Sequence, residues 1–405
     1  MTIRKSPFSS PFSSGLVLVV AILAASGWAS DGAASHACGQ EAGLVTLVGG
    51  KILRPDGTLH EDMAVVIRDG KIKRLASARA ARTGTIRRFD EQTVVFPGMI
   101  DLFSSIGTGG QSLETLAAVD ADASALDAIA PNDREFSAAI RAGITSAMVA
   151  PAPSSLVAGT AVTFRTFAID GQLDVLRDDG PLLCAFGRGV WQNERPPTSR
   201  AGTLLALRNL VEQARRGDAP PRINAALAGH LDSLLVCDSA DNLVAVRNVL
   251  GDDANRFGIV HTADAVGLAT ELDGYARPMV VGPYDFTSSR RALLGAATLS
   301  KAKIEVAFAG GIPKTTPETL RITAAIAIRY GMDTAAARRA MTINPARVAG
   351  VAEQVGSIAP GKDGDLVVFS RDPLRLDATV LEVYIKGRRV FAAANQDSPG
   401  AGATQ

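Results

Sequence analysis

Six short apolar runs between residues 145 and 311 constrain the fold of this chain most tightly. They are TSAMVAP (145–151), PLLCAFG (181–187), DSLLVCD (232–238), RFGIVHT (256–262), RPMVVGP (277–283) and KIEVAFAGG (303–311). Helix-forming stretches separate several of them, TLLALRNLVEQARRG (203–217) and NLVAVRNVLG (242–251) among them. Near-continuous apolar strands that alternate with helices are strands buried on both faces, the mark of a parallel sheet covered by crossover helices. Some ~250 residues of this pattern suit an eight-stranded β/α barrel. A doubly wound open sheet is the alternative. No GxGxxG follows the first strand, so a dinucleotide site has no support.

The texture at the two ends of the chain is different. LVTLVGGKIL, RPDGTL and MAVVIRDGKIKRLAS, within residues 44–77, alternate apolar and polar positions around turns at Asp56-Gly57 and Asp69-Gly70. Such alternation reads as short antiparallel strands joined by hairpins. It returns in GDLVVFSRDP and TVLEVYIKGRRVF, within residues 364–391, with Lys386-Gly387 as the turn. Two strand-rich blocks at opposite ends are expected to pair into one small, composite β-sandwich domain. The expected organisation is therefore a β-domain segment at 43–97, the barrel at 98–348, the complementary β-domain segment at 349–393 and a disordered tail at 394–405.

The first residues read as an export signal. MTIRKSPFSSPFSS carries Arg4 and Lys5 and no acid, GLVLVVAILAA is an apolar core, and small residues follow. A signal peptide over residues 1–30 is expected, and with it a periplasmic or secreted location. The apolar run is short for a bilayer span. No other segment is apolar for long enough to cross a membrane, so no stable span is expected after cleavage. The chain has 42 basic and 41 acidic residues, a balance that gives no support to nucleic-acid binding. Its cysteines number three, Cys38, Cys184 and Cys237. That is too few for a disulfide scaffold even in an oxidising compartment, so a hydrophobic core must hold the fold.

Residues 94–107, VVFPGMIDLFSSIG, open the chemical question. VVFPGMID (94–101), AIAPNDREFSAAIRAGITSAMVAPAPSSLVAGTAV (128–162) and TINPARVAGVAEQVGSIAPGKDGDLVVFSRDP (342–373) resemble the amidohydrolase superfamily, in particular its imidazolonepropionase-like members. The resemblance covers nearly everything after residue 43. It implies a TIM-like barrel with a small composite β domain, and a site at the C-terminal strand ends. It also implies hydrolysis of carbon–nitrogen bonds by a metal-activated water, with cyclic amides or dipeptides as substrates, and permits a homodimer.

The ligand positions implied by the resemblance are mostly occupied by other residues. The histidine pair after strand one falls at Phe103 and Ser105, the strand-four lysine at Cys184 and the strand-five histidine at Cys237. The strand-six histidine is kept as His261, and the strand-eight aspartate falls at Gly311. A glutamate position after strand four falls at Arg188, and Arg200 aligns with an arginine of the same loop. Of the other histidines, His36 lies near the expected cleavage zone, and His60 and His230 are placed in loops. Metal chemistry needs several imidazoles or carboxylates in one place.

The expectation is thus a non-catalytic, exported member that serves as a binding or partner subunit and takes no cofactor. The alternative is an active hydrolase with a rearranged site, such as zinc on Cys184, Cys237 and His261, converging at the barrel mouth; a Cys184–Cys237 disulfide is a third state of the same pair. His261 is equally readable as a core histidine. Gly310-Gly311 reads as a tight turn, with an anion nest as the alternative, Asp238 and Asp241 read as caps of the following helix, and Arg200 as half of a structural salt bridge. Ser104, Ser105 and His261 do not form a serine hydrolase triad, since no GxSxG elbow is present.

Overall fold

The computed structural model describes residues 43–80, 84–109, 116–131, 133–168, 171–261, 266–269, 272, 275–285 and 287–394. The expected signal peptide, Cys38, His36 and residues 395–405 of the expected tail lie outside them. The fold is mixed α/β, with four sheets and eight α-helices among the described residues.

The N-terminal block forms β1 (Val45–Val48), β2 (Lys51–Leu53), β3 (Leu59–Glu61), β4 (Met63–Arg68), β5 (Lys71–Ser77), β6 (Thr85–Arg88) and β7 (Val94–Pro97). The hairpin between β4 and β5 turns at Asp69 and Gly70, both with positive φ, as a two-residue primed turn demands. His60 lies in β3, paired with Ile52, and not in a loop.

The central segment forms β8 (Met99–Ser104), α1 (Asp133–Arg141), β9 (Ile144–Val149), β10 (Val157–Thr160), β11 (Val162–Arg165), β12 (Val175–Arg177), β13 (Leu182–Phe186), α2 (Arg200–Arg216), α3 (Pro221–Ala228), β14 (Ser233–Cys237), α4 (Ala240–Leu250), β15 (Phe257–His261), β16 (Met279–Val281), α5 (Arg290–Lys301) and β17 (Val306–Phe308). Then come α6 (Thr319–Arg329), α7 (Thr334–Ala340), α8 (Ile343–Val348), β18 (Leu366–Phe369), β19 (Val380–Ile385) and β20 (Arg388–Ala392).

Strands β13 to β17 form a parallel ladder, and β8 pairs parallel with β9. All six apolar runs of the sequence are strands in these sheets. Alternate residues divide between two layers, as a pleated strand requires. Ile100, Leu102, Met148, Leu183, Leu234, Val260, Val280 and Ala307 share one apolar cluster. Their neighbours Phe186, Leu235, Cys237, Ile259, Met279 and Phe308 pack in the other, with Val211, Leu243, Val246 and Leu293 of the helices.

The strands do not join into a closed ring of ladders. One sheet runs β10-β13-β14-β15-β16-β17 and the other β12-β11-β9-β8, with a single parallel bridge between Leu102 and Ala309 across one seam. At the other seam β10 runs antiparallel to β13 and β11 antiparallel to β9. The cause is local. Only residues 150–156 connect β9 to β10, whereas a parallel return needs a crossover of roughly a dozen residues or more.

The two chain ends share one six-stranded sheet, β20-β19-β18-β7-β2-β3. β18 pairs antiparallel with β7, Leu366 opposite Pro97. Leu47, Val65, Ile67 and Ile72 of the four-stranded sheet pack in one cluster with Ile52, Val95, Leu366, Val368 and Tyr384 of the six-stranded one.

The run GKDGDLVV acquires a physical role at this junction. Arg165, at the end of β11, is buried. Its Nε donates to Asp365 at 2.7 Å, its Nη2 to Asp363 at 2.5 Å and its Nη1 to Asp174 at 3.2 Å. Asp365 also accepts from the Lys386 N–H, at 2.7 Å, in the β19–β20 turn. One guanidinium thereby ties the central sheets to the start of β18 and, through Asp365, to the β19–β20 turn.

Candidate functional site

The C-terminal ends of β8 and β17 lie side by side, and the sequence puts unusual residues at both. Phe103 has a φ of 56°, a left-handed conformation uncommon for a bulky residue. The β8–β9 register slips between Leu102 and Ser104, so Phe103 is the extra residue of a bulge. Its half-buried side chain packs against the apolar cluster that contains Leu102, Val260 and Val280. An aromatic ring thus occupies the position where an imidazole was implied.

Asp101, two residues earlier, is fully buried and carries the main polar structure of the site. Its Oδ1 accepts the N–H groups of Gly310 at 2.5 Å and Gly311 at 3.0 Å, and its Oδ2 accepts that of Ile312 at 3.0 Å. In return the Ile312 carbonyl accepts the Ser104 hydroxyl at 2.9 Å and the Ser105 N–H at 2.7 Å. Gly310 has to be glycine, since a Cβ there would lie 2.6 Å from the Asp101 carboxylate. Gly311 sits at a φ of 74°. Gly310-Gly311 is therefore a turn whose amide groups form an anion nest, and the anion is the chain's own aspartate. Burial pushes the Asp101 carboxyl up to about 6, while the three N–H donors pull it down.

The cysteines of β13 and β14 belong to a different layer. Cys184 lies opposite Leu235 in the ladder, and Cys237 opposite Phe186 and His261. Cys237 is part of the cluster between sheet and helices, and Cys184 packs against it. Cys184 also lines a 40 Å³ apolar cavity with Leu156, Leu210, Val211, Ile223 and Val246. Convergence of the two cysteines at the strand-end mouth is thereby corrected: their parity in the strands turns them toward the helices. Their two-residue offset separates the Cα atoms by roughly 8 Å, beyond the usual disulfide range. Neither cysteine forms a disulfide. Burial pushes Cys184 up to about 12 and Cys237 upward as well, so both stay protonated and poor as ligands. The register places the backbone of His261 beside Cys237; its side chain lies outside the described atoms.

The fit to a divalent metal can be tested on the donors. Phe103 and Gly311 offer no side-chain donor, the Ser105 backbone is held by Ile312, and the cysteines face the helix layer. Among the described residues no three His, Cys, Asp or Glu side chains gather into a metal site. This donor set does not fit the ion that the resemblance implies.

Beside these strand ends, a polar network closes the start of α4. Ser239 caps α4 by accepting the Asn242 N–H, so the cap is neither Asp238 nor Asp241. Asp238 instead accepts the Arg188 N–H at 2.8 Å and the Asn242 side-chain amide at 2.6 Å. Arg200 donates from Nε to Asn242 Oδ1 at 2.7 Å and from Nη2 to the Asp241 carbonyl at 3.2 Å. It has no carboxylate partner among the described residues, which corrects the expected salt bridge. His230 is exposed after α3.

Sequence reasoning missed Asp101 as a site residue. The available signal was an acid inside an otherwise apolar strand, which must find buried donors.

Comparisons with known proteins agree on the fold. Residues 288–390 match the sequence model of the amidohydrolase family. Amidohydrolase tasK of Hapsidospora irregularis is 36% identical over 70 residues, 17% of this chain and 7% of that protein, so the chain spans a small fraction of that relative. An amidohydrolase from Thermotoga maritima MSB8 superposes with a TM-score of 0.76 at 23% identity, covering 86% of this chain and 100% of its own. A beta-aspartyl dipeptidase from Fervidobacterium islandicum AW-1 gives 0.53 at 13% identity, covering 87% of this chain and 97% of its own. At these identities the structural likeness is one of fold.

Proposed function

We propose that this chain, which belongs to the amidohydrolase superfamily, is an exported non-hydrolytic member that retains the fold as a binding scaffold. The observation that carries the reading is the pair of facing strand ends. Phe103 fills one side with a ring, and the opposite loop, where the implied aspartate is Gly311, has its amides committed to Asp101. A metal-bound hydroxide needs donors that neither loop offers. On this reading the central sheets are a barrel variant in which β10 and β11 run in reverse, and the paired chain ends are its composite β domain.

Hydrolase ancestry makes the rival concrete, an active site built elsewhere in the same fold. Metal analysis of protein purified from zinc-supplemented medium tests the choice, followed by a screen of cyclic amides and dipeptides. The expected result is substoichiometric metal and no turnover. One metal per chain with turnover abolished by a chelator would overturn the proposal.

A further inference from the structure

A second site lies beside the strand ends, in the open cleft lined by Arg188, Trp191, Arg200, Asp238, Asp241 and Asn242, with Val244 and Ala245 as its apolar floor. It is assembled from the ends of β13 and β14 and the starts of α2 and α4. Its polar groups are unevenly satisfied. Asp238 is occupied by Asn242 and by the Arg188 backbone. Asn242 is buried, and its amide is held at both ends, oxygen by Arg200 and nitrogen by Asp238. This clamp fixes the Arg200 guanidinium through Nε and Nη2 and leaves Nη1 open. The Arg188 guanidinium has no hydrogen bond or ion pair among the described residues. The Trp191 indole N–H is buried without a partner among them.

Three of the unspent groups are donors, one free guanidinium, one oriented guanidinium and one indole N–H; the exposed Asp241 carboxylate is an unspent acceptor among the described residues. The Arg188 guanidinium is exposed to the cleft and unpaired, and the natural complement of such a donor is an acceptor-only ligand. Planar guanidinium groups match the geometry of a carboxylate. The charge count sets the valence. Arg188 and Arg200 against Asp238 and Asp241 leave the cleft formally neutral, which favours a singly charged anion over a doubly charged one. Trp191, Val244 and Ala245 offer apolar surface for the body of such a ligand.

We infer that this cleft binds a small organic monocarboxylate with an apolar or aromatic body, its carboxylate held by Arg188 and Arg200. The site uses none of the groups at the ends of β8 and β17, so it stands whether or not the chain hydrolyses anything.

Tryptophan fluorescence gives a direct test, because Trp191 is one of only two tryptophans, Trp28 being the other. In full-length protein carrying Trp28→Phe, benzoate is titrated against benzamide, its neutral counterpart, and against inorganic phosphate. Benzoate should shift the Trp191 emission saturably, and benzamide should not. Arg188→Gln, whose side chain holds nothing in the described fold, should weaken benzoate at least about tenfold with an unchanged melting temperature. Arg200→Lys should weaken it also, while keeping the charge. The inference is overturned if benzoate gives no saturable change, if benzamide binds equally, or if Arg188→Gln binds benzoate as the parent does. Tighter binding of phosphate than of benzoate would overturn the monocarboxylate assignment.

Discussion

The Asp101 carboxylate accepts the Gly311 N–H at 3.0 Å, joining the end of β8 to the loop after β17 across 210 residues of sequence. The neighbouring N–H groups of Gly310 and Ile312 converge on the same side chain. The loop that the resemblance would arm with a metal-binding aspartate is thus held by a structural one.

Removing that anchor should be costly. Asp101→Ala leaves three N–H groups facing a buried void and should destabilise by about 3–5 kcal/mol. Asp101→Asn keeps one oxygen but turns an amide N–H toward a donor, so about 2 kcal/mol is expected. Chemical denaturation of both variants checks the order; equal stability of Asp101→Ala and the parent would show that the nest contributes nothing.

The same residue makes stability depend on pH in an unusual direction. Its folded value of about 6 lies above the unfolded 3.8, so the folded state binds this proton more tightly. Its contribution is full below pH 4 and is lost as pH rises through 6, a change on the order of 3 kcal/mol. Unfolding free energy measured from pH 4 to 7 should fall more steeply in the parent than in Asp101→Asn. Identical slopes would contradict the raised value.

Arg165 concentrates the junction between central sheets and chain ends. Arg165→Met leaves the buried Asp365 without a cation and Asp363 with Lys71 alone, and should cost about 3–5 kcal/mol. Adding Asp363→Asn and Asp365→Asn should recover some of that loss, because the penalty comes from unpaired charge. Absence of any recovery in the triple variant would place the cost in packing instead.

Cys184 and Cys237 should be inert. In Cys38→Ser protein, a thiol reagent should find no reactive group in the native state and two after denaturation, with chelators having no effect. A thiol count of zero in denaturant would mean a disulfide, and chelator-dependent reactivity would mean a metal.

Replacing Phe103 and Ser105 together by histidine should not create hydrolysis. Gly311 would still lack a carboxylate, and the thiols would still face the helices. Turnover in the Phe103→His, Ser105→His protein, with or without added zinc, would show that the strand-end assignment is misplaced.

What the sequence determined by itself was written in short-range pattern. Apolar runs marked the buried strands because both faces of a covered sheet exclude water. Asp-Gly and Lys-Gly marked hairpins because those turns need positive φ. Phe103, Ser105 and Gly311 stand where the family resemblance implies metal ligands, and that reading came from the resemblance. What only the tertiary structure decided depended on register and face. A strand exposes alternate residues to opposite sides, so one step of parity sends Cys184 and Cys237 to the helix layer and away from the strand ends. The reversal of β10 and β11 followed from a short connection whose consequence appears only when its neighbours are paired. Asp101 could be read as an acid in an apolar strand, but its three donors come from a loop more than two hundred residues away, and only folding brings them within hydrogen-bonding distance.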